Sequence, residues 1–486
     1  MARQLADLDN YEISAAMTAE VDAILADHVH KEARQEDLTF AYWKPSAGLQ
    51  RYTAVITALV LPSEGDRVLQ GNVAFHSQYL LRVLANVPDG SGIAFIHGHP
   101  SPGWQGMSDD DVVAERDRLA GQVAGRTGLP LLGLTRGTDG AWSGRIWLRN
   151  RPRSYLRKDA RSVRVVGKEL SISFPPDEPV IRTSDSQVAT LSVWGEAAQQ
   201  RLVRARAGVV GLGSVGSLVV ESLSRMGMRR LTFIDFDKLE RRNLDRTLGA
   251  TPTDANADTL KVEVAARTTT TSATAAELDL RIVPHSLLEI EGLSAALDCD
   301  VLFSCVDRPW PRHLLNTIAY SHLIPVIDGG IMARVKPDGT PQHVAWRIHT
   351  VGPGRACLVC LGALRRSDVA LDMDGKLDDP DYIAGLSDED KAVISRRNVF
   401  PFSMSVAAHE VLQLVGLVTG QSRIGGAGAQ TYDAFPGAMK VERERICGED
   451  CEFAELTATV ADLSRNLQSL RGQVTPEPGA TDDADA

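Results

Sequence analysis

The run AGVVGLGSVGS, from Ala207 to Ser217, constrains the fold more than any other stretch of this 486-residue chain. An apolar strand-like segment leads into glycines at Gly211, Gly213 and Gly216, and the helical pattern SLVVESLSRMG follows. Glycines at this spacing allow a tight strand-to-helix turn and let backbone amides approach a phosphate at the helix N-terminus. Alone, G-x-G-x-x-G is a weak nucleotide signal. Its context strengthens it, because strands of the buried parallel type recur at AGVVGLG, RLTFIDFD, DVLFSCVD and IPVIDGG, separated by helical stretches. The reading for residues 186–451 is an α/β, Rossmann-like domain with a mostly parallel sheet. Asp235 ends the second of these strands, where it can accept ribose hydroxyls. An NAD-dependent dehydrogenase would share this much. The continuation IDFDKLERRNLDR argues against it, since Asp237, Asn243 and Arg246 set polar and cationic groups that hydride transfer does not need beside the nucleotide.

A second cluster lies about a hundred residues earlier, in HGHPSPGWQGMSDDD. Residues 1–150 alternate a helical pattern with strand-like runs (AVITALVL, GIAFIHG, LPLLGLTR, GRIWLR), which predicts a separate α/β domain. His97 and His99 alternate at a strand end, so both imidazoles point to one side. Ser108 is placed as the N-cap of a helical run, and Asp111 falls in its first turn. Two histidines and a carboxylate, with water in the fourth position, make an open zinc site; such a zinc lowers the pKa of its water toward about 7 and polarises a carbonyl. The candidate general base is Glu36, with Glu32 one helical turn earlier as the alternative.

Cys357 and Cys360 form CLVC, and Cys447 and Cys451 form CGEDC; two distant close pairs suit a tetrahedral four-cysteine zinc site. A redox disulfide in CLVC would leave the second pair unexplained. Cys299 and Cys305, leading into and within a buried strand, read as small core residues, and His409 as a core or surface position of an apolar helix. Between the domains, residues 151–185 are basic and Pro-rich and read as a connector with one short strand. After Cys451 comes an amphipathic-looking helix, then a Pro-, Gly- and Asp-rich tail expected to be disordered, together 452–486. The net charge of −11 disfavours nucleic-acid and anionic-membrane partners. The N-terminal residues carry acids and no apolar core, and no uninterrupted apolar stretch approaches a membrane span, so a cytoplasmic protein is expected.

The pattern of a distant Glu, H-x-H-P and S-x-x-D resembles the JAMM motif of JAB/MPN-type zinc isopeptidases. That resemblance implies His97, His99 and Asp111 as ligands, Glu36 as base and Ser108 as the donor to a tetrahedral oxyanion. Residues of about 188 to 450 resemble the ThiF/MoeB/HesA adenylyltransferase superfamily, the ubiquitin-activating-enzyme fold. The family run D-x-D-x-(V/L)-x-x-x-N-L-x-R is present from Asp235 to Arg246, its lysine is matched by Lys261 in KVEVAAR, and its strand-end aspartate by Asp307 in LFSCVD. The resemblance implies that Asp235 holds ribose, Arg246 and Lys261 bind the phosphates of ATP, Asn243 lines the site and Asp307 supports Mg2+ near the α-phosphate. It also implies a structural Zn2+ on the four cysteines, beside the catalytic Zn2+ of the first domain. One departure is the absence of the family arginine before VWG, for which either another arginine, for example Arg182, substitutes or the dimer geometry differs. Together these features imply a bifunctional enzyme of a bacterial ubiquitin-like pathway, a homodimer that adenylates a ubiquitin-like protein, processes or deconjugates it, and hands it to a conjugating enzyme. The alternatives are activation and release of a sulfur-carrier protein, and a non-catalytic scaffold with degenerate sites.

Overall fold

The computed structural model describes residues 8–463 and 467, apart from 32–34, 71, 179–184, 337, 339, 386–397, 422–427 and 444. Two large mixed sheets organise it. The first has nine strands, β1 (Glu12–Thr18), β2 (Leu38–Ala47), β3 (Arg51–Val60), β6 (Gly92–Gly98), β7 (Leu131–Arg136), β8 (Trp142–Arg151), β9 (Ser154–Asp159), β10 (Ser162–Val166) and β11 (Leu170–Ser173), in the order β11-β10-β1-β3-β2-β6-β7-β8-β9. A separate pair, β4 (Arg67–Gln70) and β5 (Asn72–Phe75), runs antiparallel. The second sheet has eight strands, β12 (Arg206–Val210), β13 (Arg230–Ile234), β14 (Asp279–Val283), β15 (Val301–Ser304), β16 (Val326–Val335), β17 (Pro341–Val351), β18 (Ala429–Asp433) and β19 (Ala438–Glu442), in the order β14-β13-β12-β15-β16-β17-β18-β19.

The strands expected from the apolar runs form, and β14, β13, β12, β15 and β16 pair in parallel as doubly wound strands do. The sheet is nonetheless mixed, since β17, β18 and β19 add antiparallel pairs. Strand order reverses between β12 and β15, which opens a crevice at their carboxyl ends. The helix Gly216–Arg225 packs Val219, Val220 and Leu223 into the core beneath it.

Two expectations about connecting segments are corrected. Residues 151–185 hold β9, β10 and β11 and extend the first sheet, where one short strand was expected. Val163 and Val166 are buried there, and Arg164, which reads as a solvent residue, is neutralised in the interior by Asp300 at 2.8 Å. Among the described residues after Cys451, helix is confined to Glu452–Glu455 and Leu467. Beyond Glu455, Ala458 and Val460 take φ of 58° and 52°, and their amides donate to the carbonyls of Tyr320 and Ser321, so tertiary pairing displaces helical bonds. The tail 468–486 lies outside the described residues. The helix Phe400–Thr419 is long and apolar enough to cross a membrane, but 67% of its apolar window is buried inside the protein, and it packs on β16 and β17 with Glu410 turned inward.

The two sheets share a core, in which Ala16, Val55, Val166 and Leu170 of the first lie in one apolar cluster with Val209, Phe233 and Phe303 of the second. Arg51 at the start of β3 and Arg164 of β10 both reach Asp300, at 2.6 and 2.8 Å, and the amide of Arg206 at the start of β12 donates to the same carboxylate. Ser46 of β2 meets Nδ1 of His322 at 2.8 Å.

Candidate functional site

At the carboxyl ends of β12, β13 and β15 the three glycines do different things. Gly211 takes φ +88° and its Cα faces the Cys305 carbonyl, which a Cβ would meet at 2.7 Å. A Cβ on Gly216 would lie 1.9 Å from the Gly211 carbonyl. Around Gly213 a Cβ would meet nothing within 4 Å. The outer glycines are therefore required by the turn, whereas the middle one leaves open space before the helix Gly216–Arg225, where amides and the helix dipole favour an anion.

Asp235, just past β13, is buried, and its two carboxylate oxygens accept from the amides of Leu212 (2.6 Å) and Asp237 (2.8 Å). Burial pushes its pKa up, against the pull of Lys261. Lys261, at the start of the helix Lys261–Ser272, bonds Asp237 through Nζ at 2.6 Å. Asn243 accepts the Glu240 amide at 3.0 Å, closing the turn that carries Arg246, whose guanidinium bonds Asp245 and the Arg242 carbonyl, each at 2.7 Å. Asp307 is exposed beyond the end of β15. These groups share the carboxyl edge of one sheet. Sequence reasoning missed Asn398, whose amide bridges Ser214 of the glycine turn and Ser403, both at 2.8 Å, and Phe236, 59% exposed between the two aspartates. Neither has a spacing signature. Arg182 and Glu32 lie outside the described residues.

A second cluster stands at the end of β6. The Nε2 atoms of His97 and His99 are 3.2 Å apart, and Asp111 presents Oδ1 to His97 and Oδ2 to His99, each at 3.3 Å. Tetrahedral ligands at zinc distances of about 2.0–2.1 Å lie about 3.3–3.4 Å from one another, so this donor set fits zinc. Ser108 and Asp111 form a reciprocal capping box, with the Ser108 amide on Oδ2 at 2.8 Å and the Asp111 amide on the serine hydroxyl at 3.2 Å. Ser108 thereby aims the carboxylate at the histidines. Glu36 is half-buried one residue before Asp37, whose carbonyl accepts the amide of Gly98 between the two histidines, but its carboxylate is not one of the three gathered groups.

The two cysteine pairs, with Cys357 and Cys451 separated by 94 positions, converge with their sulfurs within 4.8 Å of one another and Cys357 to Cys451 at 3.6 Å. The amide of Cys357 donates to Cys447, and that of Cys360 to Cys357, at 3.2 and 3.3 Å, as suits thiolates, and the donor set fits a closed tetrahedral zinc. Cys299 is fully buried; Cys305 is packed beneath the glycine turn, its thiol 3.8 Å from Glu410. His409 packs on Trp346 from the helix Phe400–Thr419.

The chain is 28% identical over 176 residues to ubiquitin-like modifier-activating enzyme 5 of Drosophila willistoni, an alignment covering 33% of this chain and 40% of that protein. It is 30% identical over 177 residues to the molybdopterin-synthase adenylyltransferase of Salmonella typhimurium, covering 34% of this chain and 62% of that one. It thus spans less than two thirds of the length of either relative. Among solved structures, E. coli MccB with ATP aligns over 57% of this chain and 76% of its own at 15% identity, with a TM-score of 0.42. The model of the ThiF family matches residues 184–426, half of the chain. The chain belongs to the ThiF family.

Proposed function

We infer that this protein is an ATP-dependent adenylyltransferase that activates the C-terminal carboxylate of a ubiquitin-like or sulfur-carrier protein. The observation that carries the reading is the open space at Gly213, in a turn whose other two glycines are closely packed and whose Leu212 amide donates to Asp235. In this reading Asp235 takes the ribose, Asn243 and Asp237 line the site, and Lys261 and Arg246 exchange their present acidic partners for phosphate oxygens. Asp307 would hold Mg2+ near the α-phosphate. The carrier carboxylate attacks the α-phosphorus, one oxygen–phosphorus bond forms, the bond to the β-phosphate oxygen breaks, and pyrophosphate leaves with its charge neutralised by the cations. The family of the chain supports this chemistry.

The His97, His99 and Asp111 cluster supports a second activity, metal-dependent hydrolysis of a peptide or isopeptide bond to the same carrier. A zinc there would supply carbonyl polarisation. Glu36 would take the proton of the attacking water, and Ser108 would hold Asp111 in place. A second zinc on Cys357, Cys360, Cys447 and Cys451 would be structural. The test of the first activity is intact-mass analysis of a Gly-Gly-ended carrier protein incubated with this enzyme, ATP and Mg2+. A carrier that gains the mass of AMP is expected, and a carrier left unchanged would overturn the reading.

A further inference from the structure

A small recess outside both candidate sites is walled by cations. Lys168 lines it from the turn between β10 and β11, His349 from β17, Arg355 from the turn that follows β17, and Arg443 and Arg445 from the segment after β19. Gly428 lets that segment close in: it takes φ +98°, and a Cβ there would lie 2.2 Å from the Glu442 carbonyl. Among the described residues no carboxylate lines the recess. Acids act on its walls from outside, Glu442 bonding Arg445 at 3.0 Å and Glu169 acting on Arg355 through its charge. The volume, about 40 Å³, suits one small oxoanion and is far below what a nucleotide fills.

Two of the lining side chains are deeply buried and incompletely satisfied. Arg355 is 8% exposed; its Nη2 donates to the Lys168 carbonyl, while its Nε is buried with no hydrogen-bond partner. His349 is 2% exposed, and its Nε2 meets the Ala356 carbonyl at 2.7 Å. A carbonyl only accepts, so Nε2 carries the proton. Burial, with Arg355 and Arg347 close by, lowers the imidazole pKa to about 4, which leaves a neutral ring near pH 7 and a lone pair on Nδ1. That Nδ1 is also buried without a partner. The two orphans ask for different things, Arg355 for an anionic acceptor and His349 for a donor. Hydrogen phosphate offers both, since it carries charged oxygens and a P–OH; sulfate at neutral pH offers only the first. We propose that this recess binds one phosphate group, as free hydrogen phosphate, and so ties the β10–β11 turn of the first sheet to the β17 and β19 ends of the second. A free ion is the occupant because Arg355 and His349 lie too deep for a phosphorylated side chain that brings its own backbone. The brace stands beside the four cysteines, where Arg445 donates to the Cys360 carbonyl at 2.8 Å and the Ala356 amide to the Arg445 carbonyl at 3.1 Å.

The experiment is thermal melting and calorimetric titration of the full chain with sodium phosphate and, at equal ionic strength, sodium sulfate, which cancels the general salting effect the two anions share. A saturable rise in melting temperature is expected with phosphate and a smaller one with sulfate. Arg443→Ala, at an exposed position, and Arg355→Lys should each weaken phosphate by about tenfold or more. Both should leave ATP binding unchanged, which separates this recess from the glycine turn. His349→Gln keeps a donor for the Ala356 carbonyl but loses the Nδ1 lone pair, so it should bind phosphate and sulfate alike. Arg443→Ala keeps the test decisive where a buried variant fails to fold. Phosphate that stabilises no better than sulfate, or phosphate affinity unchanged in Arg443→Ala and Arg355→Lys, would overturn the assignment. O-phosphoserine binding more tightly than inorganic phosphate would overturn the free ion as occupant.

Discussion

The two glycines Gly213 and Gly216 look equivalent in a motif and are physically opposite. Gly216→Ala forces a Cβ to 1.9 Å from the Gly211 carbonyl, so a loss of fold stability is expected. Gly213→Ala meets only open space, so stability should stay level or rise by up to about 1 kcal/mol, while ATP affinity falls by about tenfold or more. Thermal melting and calorimetric ATP titration of the two variants check this; a Gly213→Ala protein that binds ATP normally would remove the cradle from the account. The cysteines make a second residue-level case. Burial pushes the Cys299 thiol up to about 12, and burial with the neighbouring Glu410 raises Cys305 well above its ordinary range. Neither forms the thiolate an acyl transfer needs. With the other four cysteines gathered at the candidate zinc site, the carrier is expected to form no thioester on this chain. A reductant-sensitive carrier adduct on a gel, lost in Cys305→Ala, would contradict that.

At the scale of elements, the signals that carried over from sequence were those set by local chemistry. The strand–glycine–helix turn and the Ser108 N-cap are written in adjacent residues and formed as read. What was not legible depended on partners far along the chain. Arg164 looked like a connector residue because Asp300, which makes its burial tolerable, lies 136 positions away. Beyond Glu455 the amides of Ala458 and Val460 turn to the carbonyls of Tyr320 and Ser321, and the buried bonds that link Glu115, Arg145 and Thr135 draw on three elements with no shared spacing. The capping box offers an element-level prediction. Ser108→Ala should cost about 1 kcal/mol of stability, and, by releasing Asp111, should weaken metal binding at the histidines more than its small stability loss accounts for. Chemical denaturation and chelator competition separate the two effects, and unchanged metal affinity would show that Asp111 needs no such support.

Across the whole molecule, the candidate nucleotide residues and the histidine cluster stand at different strand ends. The histidine cluster lies at the Leu38 end of the first sheet, where Leu38 pairs with His97, whereas Ser46 and Arg51 at the other end meet the second domain. That domain is gripped at Arg206 and Asp300, the amino ends of its strands, and its glycine turn opens at the carboxyl ends. The junction also predicts a pH response. His322 is buried between Ser46 and the Ala461 carbonyl, and burial lowers its pKa to about 4. Its folded value lies below the unfolded value of about 6.5, so its contribution, on the order of 3 kcal/mol, is full above that pH and is lost as pH falls toward 4. Urea unfolding at pH 7 and pH 4.5 should show a smaller loss in His322→Gln than in wild type; equal losses would contradict it. The central claim, that the carboxyl edge of the second sheet adenylates a carrier carboxylate, is tested most directly by ATP–pyrophosphate exchange with a Gly-Gly-ended carrier. The account predicts carrier-dependent exchange in the wild type that collapses in folded Asp307→Ala, and an exchange rate unchanged by that substitution would contradict it.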